Sequence, residues 1–315
     1  MNGIKVVAII GALVAMAASG FLALVATFEV PRYEREVPAL TIESTLQRVE
    51  RGRRWAGLLC VDCHQNPSTG RLTGAPMPSA ARFGDIHSTN ITRHATQGIG
   101  AWSDGDVEYL LRTGIARDGR YTPPWMPKWP HLADEDLAAL IAFLRSDDPA
   151  VEPSDVAKVP SRLSFFAKFL LALKAFRPLP MPPSPIEAPS PSDEVAYGRY
   201  LTWNLDCWTC HSQHFAKLDF LKPEGSPGYL GGGDTASVGS DGEALRSSNL
   251  TPDEETGLGR WTPAQFVRAL REGVRPDGSK VRMRTYALLT EDEARAIFTY
   301  LKTVPPLRRS GLRNP

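Results

Sequence analysis

The sequence predicts an all-α protein in which an N-terminal transmembrane helix precedes two tandem helical domains. Three observations carry this prediction: a long apolar run at the N-terminus, an internal repeat over the remaining chain, and helix-capping signals in both copies of the repeat. We find no alternating strand pattern of any length. The 315 residues suffice for two ordinary domains, and 42% hydrophobic with 23% charged residues is typical of a folded protein.

The balance of charges argues against one class of partner. There are 36 Lys and Arg residues against 35 Asp and Glu residues, which gives a formal net charge of +1. Nucleic-acid-binding proteins carry a strongly basic face, so we expect no nucleic-acid partner. The four cysteines are too few for a disulfide-rich secreted scaffold.

The apolar run extends from Ile4 to Phe28 and contains one charge, Lys5. As a helix it would measure about 37 Å, more than the ~30 Å of a bilayer's hydrocarbon core. We therefore assign residues 1–30 to a transmembrane anchor. A cleaved signal peptide with its cleavage site at 15–17 is the alternative, but the apolar pattern continues through Val25 instead of turning polar.

The internal repeat indicates two copies of one domain. Residues 89–103 are echoed by residues 248–262, and the match continues through later segments of both copies. Repeats this long exclude a solenoid, whose periods are much shorter. We place the two domains at residues 41–148 and 193–308.

Helix starts are marked at matching places in the two copies. Ser103 and Thr262 stand at predicted N-caps, and Thr262 forms a capping box with Gln265. Thr290 begins a second box, whereas the first copy has Ala133 at that place. The last helix of the first copy should therefore begin without a capping side chain.

Residues 149–192 form a linker between the domains. Arg177 to Ser192 holds seven prolines, which favours a semi-rigid extended segment. Arg162 to Arg177 is an amphipathic helical pattern, and from Lys158 to Arg177 there are five basic residues and no acidic one. Two interpretations stay open: a helix packed against the two domains, and a helix lying on an anionic membrane surface.

The pattern Cys-x-x-Cys-His occurs at residues 60–64 and again at residues 207–211. Cysteines three apart project from the same side of a helical turn, so both sulfurs can bond the vinyl edges of one haem while the histidine binds its iron. Zinc or a dithiol redox pair would not require the trailing histidine twice. We predict two covalently attached haem c groups, held by Cys60, Cys63, Cys207 and Cys210, with His64 and His211 as iron ligands.

A methionine sulfur is the expected sixth ligand of each iron. Met126, between prolines, and Met283 both stand six residues before the repeated final segment, so the repeat pairs them. Met77 is the fallback for the first iron. For the other histidines a solvated surface or loop position is expected: His87, His94, His131 and His214.

Two further pairs recur in both copies. Trp102 and Trp261 follow a glycine-rich turn, and we interpret them as core residues near the haem edge. Asn90 and Asn249 match the glycosylation sequon, but their recurrence within the repeat favours a hydrogen-bonded turn.

Residues 41–310 resemble a membrane-anchored dihaem cytochrome c with two class I cytochrome c domains, similar to the cytochrome c subunits of periplasmic dehydrogenases. The resemblance is carried by both Cys-x-x-Cys-His motifs, the Asn-Ile/Leu-Thr and Gly-x-Gly-x-Trp blocks, the Arg-x-Gly turns, and Met126 between its prolines. Two departures stand out. Such subunits commonly carry three haems whereas this chain has two motifs, and Met283 lacks the flanking prolines.

The resemblance implies electron transfer between a periplasmic donor, either a dehydrogenase or a small carrier, and a membrane oxidase or other respiratory or photosynthetic acceptor. It also implies a single-pass protein of the inner membrane with its haem domains in the periplasm. Two alternatives stay open. A dihaem peroxidase-like or other haem enzyme would need an open iron site, and an anchoring cytochrome subunit of a dehydrogenase complex is compatible with electron transfer.

Overall fold

The structure is a computed structural model that describes residues 3–233, 237–238 and 244–309. It confirms the predicted mostly helical class. Within the described residues, strands occur only as two antiparallel pairs of two residues each, β1 with β2 and β3 with β4. The helices are α1 Gly3–Ala26, α2 Leu46–Leu59, α3 Val61–His64, α4 Asp104–Thr113, α5 Asp134–Arg145, α6 Phe165–Ala172, α7 Glu194–Asn204, α8 Cys207–His211, α9 Pro263–Glu272 and α10 Glu291–Thr303; the strands are β1 Gly84–Asp85, β2 Arg162–Leu163, β3 Ser237–Val238 and β4 Ala244–Leu245.

The N-terminal apolar run forms the predicted long helix. Within α1, the stretch Lys5–Ala26 is long and apolar enough to cross a membrane. Its large side chains are exposed, for example Val14 and Leu24, whereas Val25 near its end is buried. Met1, the first residue of the predicted anchor, lies outside the described residues. Insertion of α1 into a membrane stays a prediction.

Each repeat is built on a close crossing of its first and last long helices. A Cβ on Gly52 in α2 would lie 1.8 Å from the carbonyl oxygen of Ala139 in α5. The second repeat has the same contact, because a Cβ on Gly198 in α7 would lie 1.9 Å from the carbonyl oxygen of Ala296 in α10. Both crossings therefore require glycine.

The predicted helix caps are confirmed. The Thr262 hydroxyl accepts from the Gln265 amide, and Thr290 makes the matching box with Glu293. Ser103 caps α4, and Ala133 leaves the start of α5 without a side-chain cap bond, as expected. The capping boxes thus mark matching starts for α4 and α9, whereas α5 begins at the place equivalent to the start of α10 without such a box.

The two repeats bind each other through equivalent residues. Arg54 of α2 pairs with Glu293, the third residue of α10. In the reverse direction, the Tyr200 hydroxyl of α7 donates to Asp136, the third residue of α5. Asp136 is 1% exposed and also accepts from the Trp55 indole. The repeats thus pack about an approximate two-fold axis.

The loops that contain the candidate methionines extend this symmetric interface. The Trp129 indole donates to the backbone oxygen of Asn204 at 3.0 Å, just before the second Cys-x-x-Cys-His motif. The Arg284 guanidinium donates to the backbone oxygen of Leu58, just before the first motif. Each methionine loop therefore contacts the segment that leads into the other repeat's motif.

Helix α6 is shorter than the predicted amphipathic segment and faces two environments. It begins at Phe165 because Arg162 and Leu163 pair with β1 instead, and it ends at Ala172, just before Lys174, which has a left-handed φ of 54°. Its inner face, with buried Ala167 and Leu171, packs on the 3-10 turn Pro78–Phe83, so the packed interpretation holds for that face. On its outer face, Phe165 and the C-cap residue Leu173 are exposed.

The proline-rich segment runs along the first repeat. The Leu179 amide donates to the carbonyl of Thr113, and the Asp134 amide donates to the carbonyl of Ile186. Residues 177–192 contain no helix or strand, which agrees with the extended conformation expected of a proline-rich linker.

Candidate haem sites

Each motif histidine is buried and held in one tautomer. His64 ends α3 and His211 ends α8, at 8% and 9% exposure. Their Nδ1 atoms lie 2.7 Å from the Thr89 carbonyl oxygen and 2.8 Å from the Ser248 carbonyl oxygen. A carbonyl only accepts, so Nδ1 carries the hydrogen and Nε2 keeps its lone pair.

This arrangement is the one that a metal-binding imidazole requires. Burial lowers the pKa of both histidines, which favours the neutral ring. A second hydrogen bond from the ring nitrogen opposite the metal fixes the ring orientation and makes it a better ligand. The buried histidines therefore fit an iron ligand in both repeats.

The motif cysteines present their sulfurs on the same helical turn as the histidine. All four lie within the described residues and form no disulfide. Burial raises the pKa of the Cys60 and Cys207 thiols to about 12, which favours the neutral form of both thiols in the chain without haem. Two thiols and an adjacent imidazole on one turn are the groups that the attachment of haem c requires.

Sequence reasoning missed a glycine in each repeat whose amide binds the backbone carbonyl of the motif histidine. The Gly74 amide donates to the His64 carbonyl, and the Gly232 amide donates to the His211 carbonyl. Both glycines have a positive φ, and a Cβ on either would lie 2.4 Å from a backbone oxygen. Their recurrence on the C-terminal side of both motifs was the signal available in the sequence.

We expect Gly74→Ala to lower the free energy of unfolding by about 1–3 kcal/mol. The left-handed backbone and the clash with the Ser88 backbone oxygen both oppose a Cβ at this position. Gly70→Ala is the matched control, since Gly70 also has a positive φ (+72°) but open space around it. Urea unfolding measured by circular dichroism compares the two. Equal losses would show that the close approach beside His64 has no role.

Met126 lies in a loop that is fastened by an unpredicted lysine. The buried Lys128 ammonium donates to the carbonyls of Thr122, Pro123 and Met126. Burial lowers the pKa of Lys128 to about 7 and raises that of Asp206, the residue before Cys207, to about 7. Met126 itself is half-buried against the core cluster that includes Cys60, and Cys207 packs on the same cluster.

Met283 is in a more open setting than Met126. It is 37% exposed and is absent from the core cluster as far as the described residues define it. The next residue, Arg284, reaches across to the first repeat, where its Nη1 lies 2.6 Å from Asp62 between the cysteines of the first motif. The fallback ligand Met77 packs instead on the cluster around Phe83.

His131 lies in a loop, as predicted, and it is half-buried there. Its Nε2 donates to the Phe220 carbonyl at 2.9 Å and its ring lies 4.7 Å from the Trp203 ring. Helix α7 of the second repeat therefore covers one side of this loop.

The other recurring pairs are the two asparagine turns and the two tryptophans. Asn90 Oδ1 accepts from the amide and the hydroxyl of Thr92, and Asn249 makes the same turn with Thr251. Trp102 and Trp261 are partly buried against the core. These bonds confirm the turn interpretation of the two asparagines.

Comparison with known proteins agrees with this chemistry. Residues 49–147 match the family model described as Cytochrome c. The chain is 32% identical to the gluconate 2-dehydrogenase cytochrome c subunit of Pantoea cypripedii, over 78% of this chain and 56% of that protein. It is 30% identical to the quinone alcohol dehydrogenase cytochrome c subunit of Gluconacetobacter polyoxogenes, over 79% of this chain and 54% of that protein.

A relative of similar length is the diheme cytochrome c-type protein of Cereibacter sphaeroides. It is 28% identical over 82% of this chain and 86% of that protein. By contrast, the chain spans about half the length of the two dehydrogenase subunits. The chain therefore contains a cytochrome c domain and is a homologue of dehydrogenase cytochrome c subunits and of a diheme cytochrome c.

Proposed function

We propose that the chain is a membrane-anchored electron-transfer protein that carries two covalently attached haem c groups. The observation that carries the proposal is the duplicated site, in which a buried histidine with its Nδ1 bound to a carbonyl follows two cysteines on one helical turn. Haem c, when attached, supplies an iron that alternates between the ferric and ferrous states.

The chain's residues have distinct tasks in this proposal. The thiols of Cys60 and Cys63, and of Cys207 and Cys210, form the thioether bonds. The imidazoles of His64 and His211 would hold the iron through Nε2, the ring nitrogen that does not donate to a carbonyl. Met126 and Met283 complete the two sites, and burial keeps water away from the histidines. No residue is assigned a catalytic role.

The interface between the repeats supports passage of electrons within the chain. Arg284 joins the second methionine loop to Asp62 of the first motif, and Trp129 joins the first methionine loop to the segment before the second motif. These reciprocal contacts hold the two sites in one fixed arrangement. We infer that residues 41–148 and 193–308 are two cytochrome domains that act as one electron-transfer unit.

The proposed partners follow from the relatives. A dehydrogenase, or a small carrier that it reduces, would be the donor on the periplasmic side. A membrane oxidase or another respiratory or photosynthetic complex would be the acceptor. The α1 helix would place the protein in the inner membrane as a single-pass protein with its haem domains in the periplasm, and it could also anchor a dehydrogenase.

A haem enzyme of the peroxidase type is the second candidate. The observation in its favour is the 37% exposure of Met283, since a weakly held ligand would leave the second iron open to peroxide. Anaerobic stopped-flow measurements on the full chain in detergent distinguish the two. We expect fast, reversible exchange of electrons with a soluble cytochrome c and no peroxide turnover. Rapid turnover of peroxide would support the enzyme instead.

A further inference from the structure

Helix α6 presents an apolar stripe beside the end of α1. Phe165, Phe169 and the C-cap residue Leu173 are spaced four residues apart, so they lie on one side of the helix. Phe165 is 46% and Leu173 54% exposed. The remaining member, Phe169, meets Phe21 of α1 edge to face at 6.1 Å between ring centroids.

The contact with α1 fixes the depth of this stripe. The 24 residues of α1 span about 36 Å, which exceeds the ~30 Å hydrocarbon core by about 6 Å. Phe21 lies five residues, or about 8 Å, before the end of α1. Suppose that all of the extra ~6 Å of α1 projects from the bilayer at the Ala26 end. Phe21, and the Phe169 ring beside it, then still lie at the boundary of the hydrocarbon core.

The back and both flanks of α6 are fastened to the protein. Ala167 and Leu171 are buried, and Phe166 stacks on Phe83 at 6.2 Å between ring centroids. Lys168 donates to the carbonyl of Ala26, at the negative end of the α1 dipole. The position of α6 along the α1 axis is therefore fixed, so the depth of α1 in the bilayer also sets the depth of α6.

The positive charge around the exposed stripe indicates that its partner is an anionic membrane surface. The segment 158–177 has five basic residues and no acidic one, and four of the five are exposed. Basic residues close to a bilayer surface are attracted to anionic headgroups. A helix with an apolar stripe and a basic surround matches an interfacial helix, which buries its apolar face to about 5–10 Å.

We propose that α6 and the end of α1 form a single platform on an anionic bilayer, with Phe165, Phe169 and Leu173 inserted at the headgroup boundary. The platform also orients the first haem site. Trp125, next to Met126, packs on Phe83 at 5.4 Å, and Phe83 rests on α6. The Met126 loop of the first repeat is thus held on the membrane side of the molecule.

Nitroxide labels on introduced cysteines test the platform in the full, haem-loaded chain. Labels are placed by Phe165→Cys and Leu173→Cys, with Val14→Cys in α1 as the lipid reference and Leu46→Cys, 88% exposed, as the aqueous reference. The vesicles contain equal parts of phosphatidylcholine and phosphatidylglycerol. We expect collision with oxygen relative to a nickel chelate to be several-fold higher at 165 and 173 than at 46.

The outcomes separate this proposal from the proposed function on which it rests. Lipid-like behaviour at 14 with water-like behaviour at both 165 and 173 overturns the platform alone. Water-like behaviour at 14 overturns the membrane anchor and the platform with it. The unsubstituted chain is the blank, because complete thioether attachment consumes every native thiol; labelling of that chain counts against the haem attachment.

The basic residues have a test of their own. Lys174→Glu should lower the oxygen preference at 165 in the anionic vesicles, and vesicles of phosphatidylcholine alone should lower it for the unsubstituted Lys174. Lys280→Glu, an exposed charge change in the second repeat, is the matched control and should change nothing. An unchanged preference in both Lys174→Glu and neutral vesicles would overturn the anionic surface as the occupant.

Discussion

Replacing Met126 by alanine is expected to lower the midpoint potential of one haem and to open its iron to carbon monoxide. Thioether ligation favours the ferrous state, and alanine has no donor atom to replace it. Axial ligands set haem potentials over a range of about 0.8 V, and we expect a fall of roughly 0.1–0.3 V. Redox titration followed by optical spectroscopy measures the shift, and the spectrum under carbon monoxide detects the open site.

Two matched variants accompany this test. Met77→Ala removes the fallback sulfur, which packs on the Phe83 cluster, and should leave both potentials unchanged. Met283→Ala should produce the same type of change at the other haem. If Met126→Ala leaves the potentials and the carbon monoxide spectrum as they were, Met126 is not an iron ligand.

Replacing Asp136 by alanine is expected to destabilise the chain by about 2–4 kcal/mol, because it removes the acceptor shared by both repeats. Asp136 is 1% exposed and accepts from Trp55, Arg51 and Tyr200. The variant leaves the indole and the phenol without this partner inside the interface. Urea unfolding in detergent, measured by circular dichroism at several wavelengths, gives the change in the free energy of unfolding.

Glu135→Ala is the neighbouring control. Glu135 pairs with Arg48 at 2.8 Å, but its side chain is 54% exposed, so the loss should be within about 1 kcal/mol. A similar small loss for Asp136→Ala would mean that the buried carboxylate does not hold the two repeats together.

The sequence predicted the features that depend on near neighbours in the chain. The capping boxes at Thr262 and Thr290 use residues three apart, so their pattern is visible without any tertiary structure. The Asn90 and Asn249 turns are equally local. The long α1 helix followed from its uninterrupted apolar run. The repeat then allowed each local prediction to be made twice.

What the sequence could not predict depends on distant contacts. Helix α6 lost its first residues to pairing with β1, which lies far earlier in the chain, and its last residues to the left-handed backbone at Lys174. The need for glycine at position 52 could not be predicted, because it arises from the crossing of α2 with the distant helix α5. The contact that half-buries His131 could not be predicted, because nothing local indicates that Trp203 covers it.

The candidate sites divide in the same way. The cysteines and histidines form a contiguous pattern and could be predicted from it, whereas the carbonyl partners Thr89 and Ser248 come from separate turns. The second repeat also holds Asp206 with a φ of +62° just before Cys207. Arg284 could not be anticipated either, since its partner Asp62 belongs to the other repeat.

The number of haems that stay attached in acidified acetone tests the central claim most directly. Thioether bonds survive this extraction, whereas axial ligation alone does not. The purified full chain should retain its pigment, with two haems per polypeptide by the pyridine haemochrome spectrum, and one each after Cys60→Ser with Cys63→Ser or after Cys207→Ser with Cys210→Ser. Colourless protein, or pigment that passes wholly into the acetone, would contradict the account.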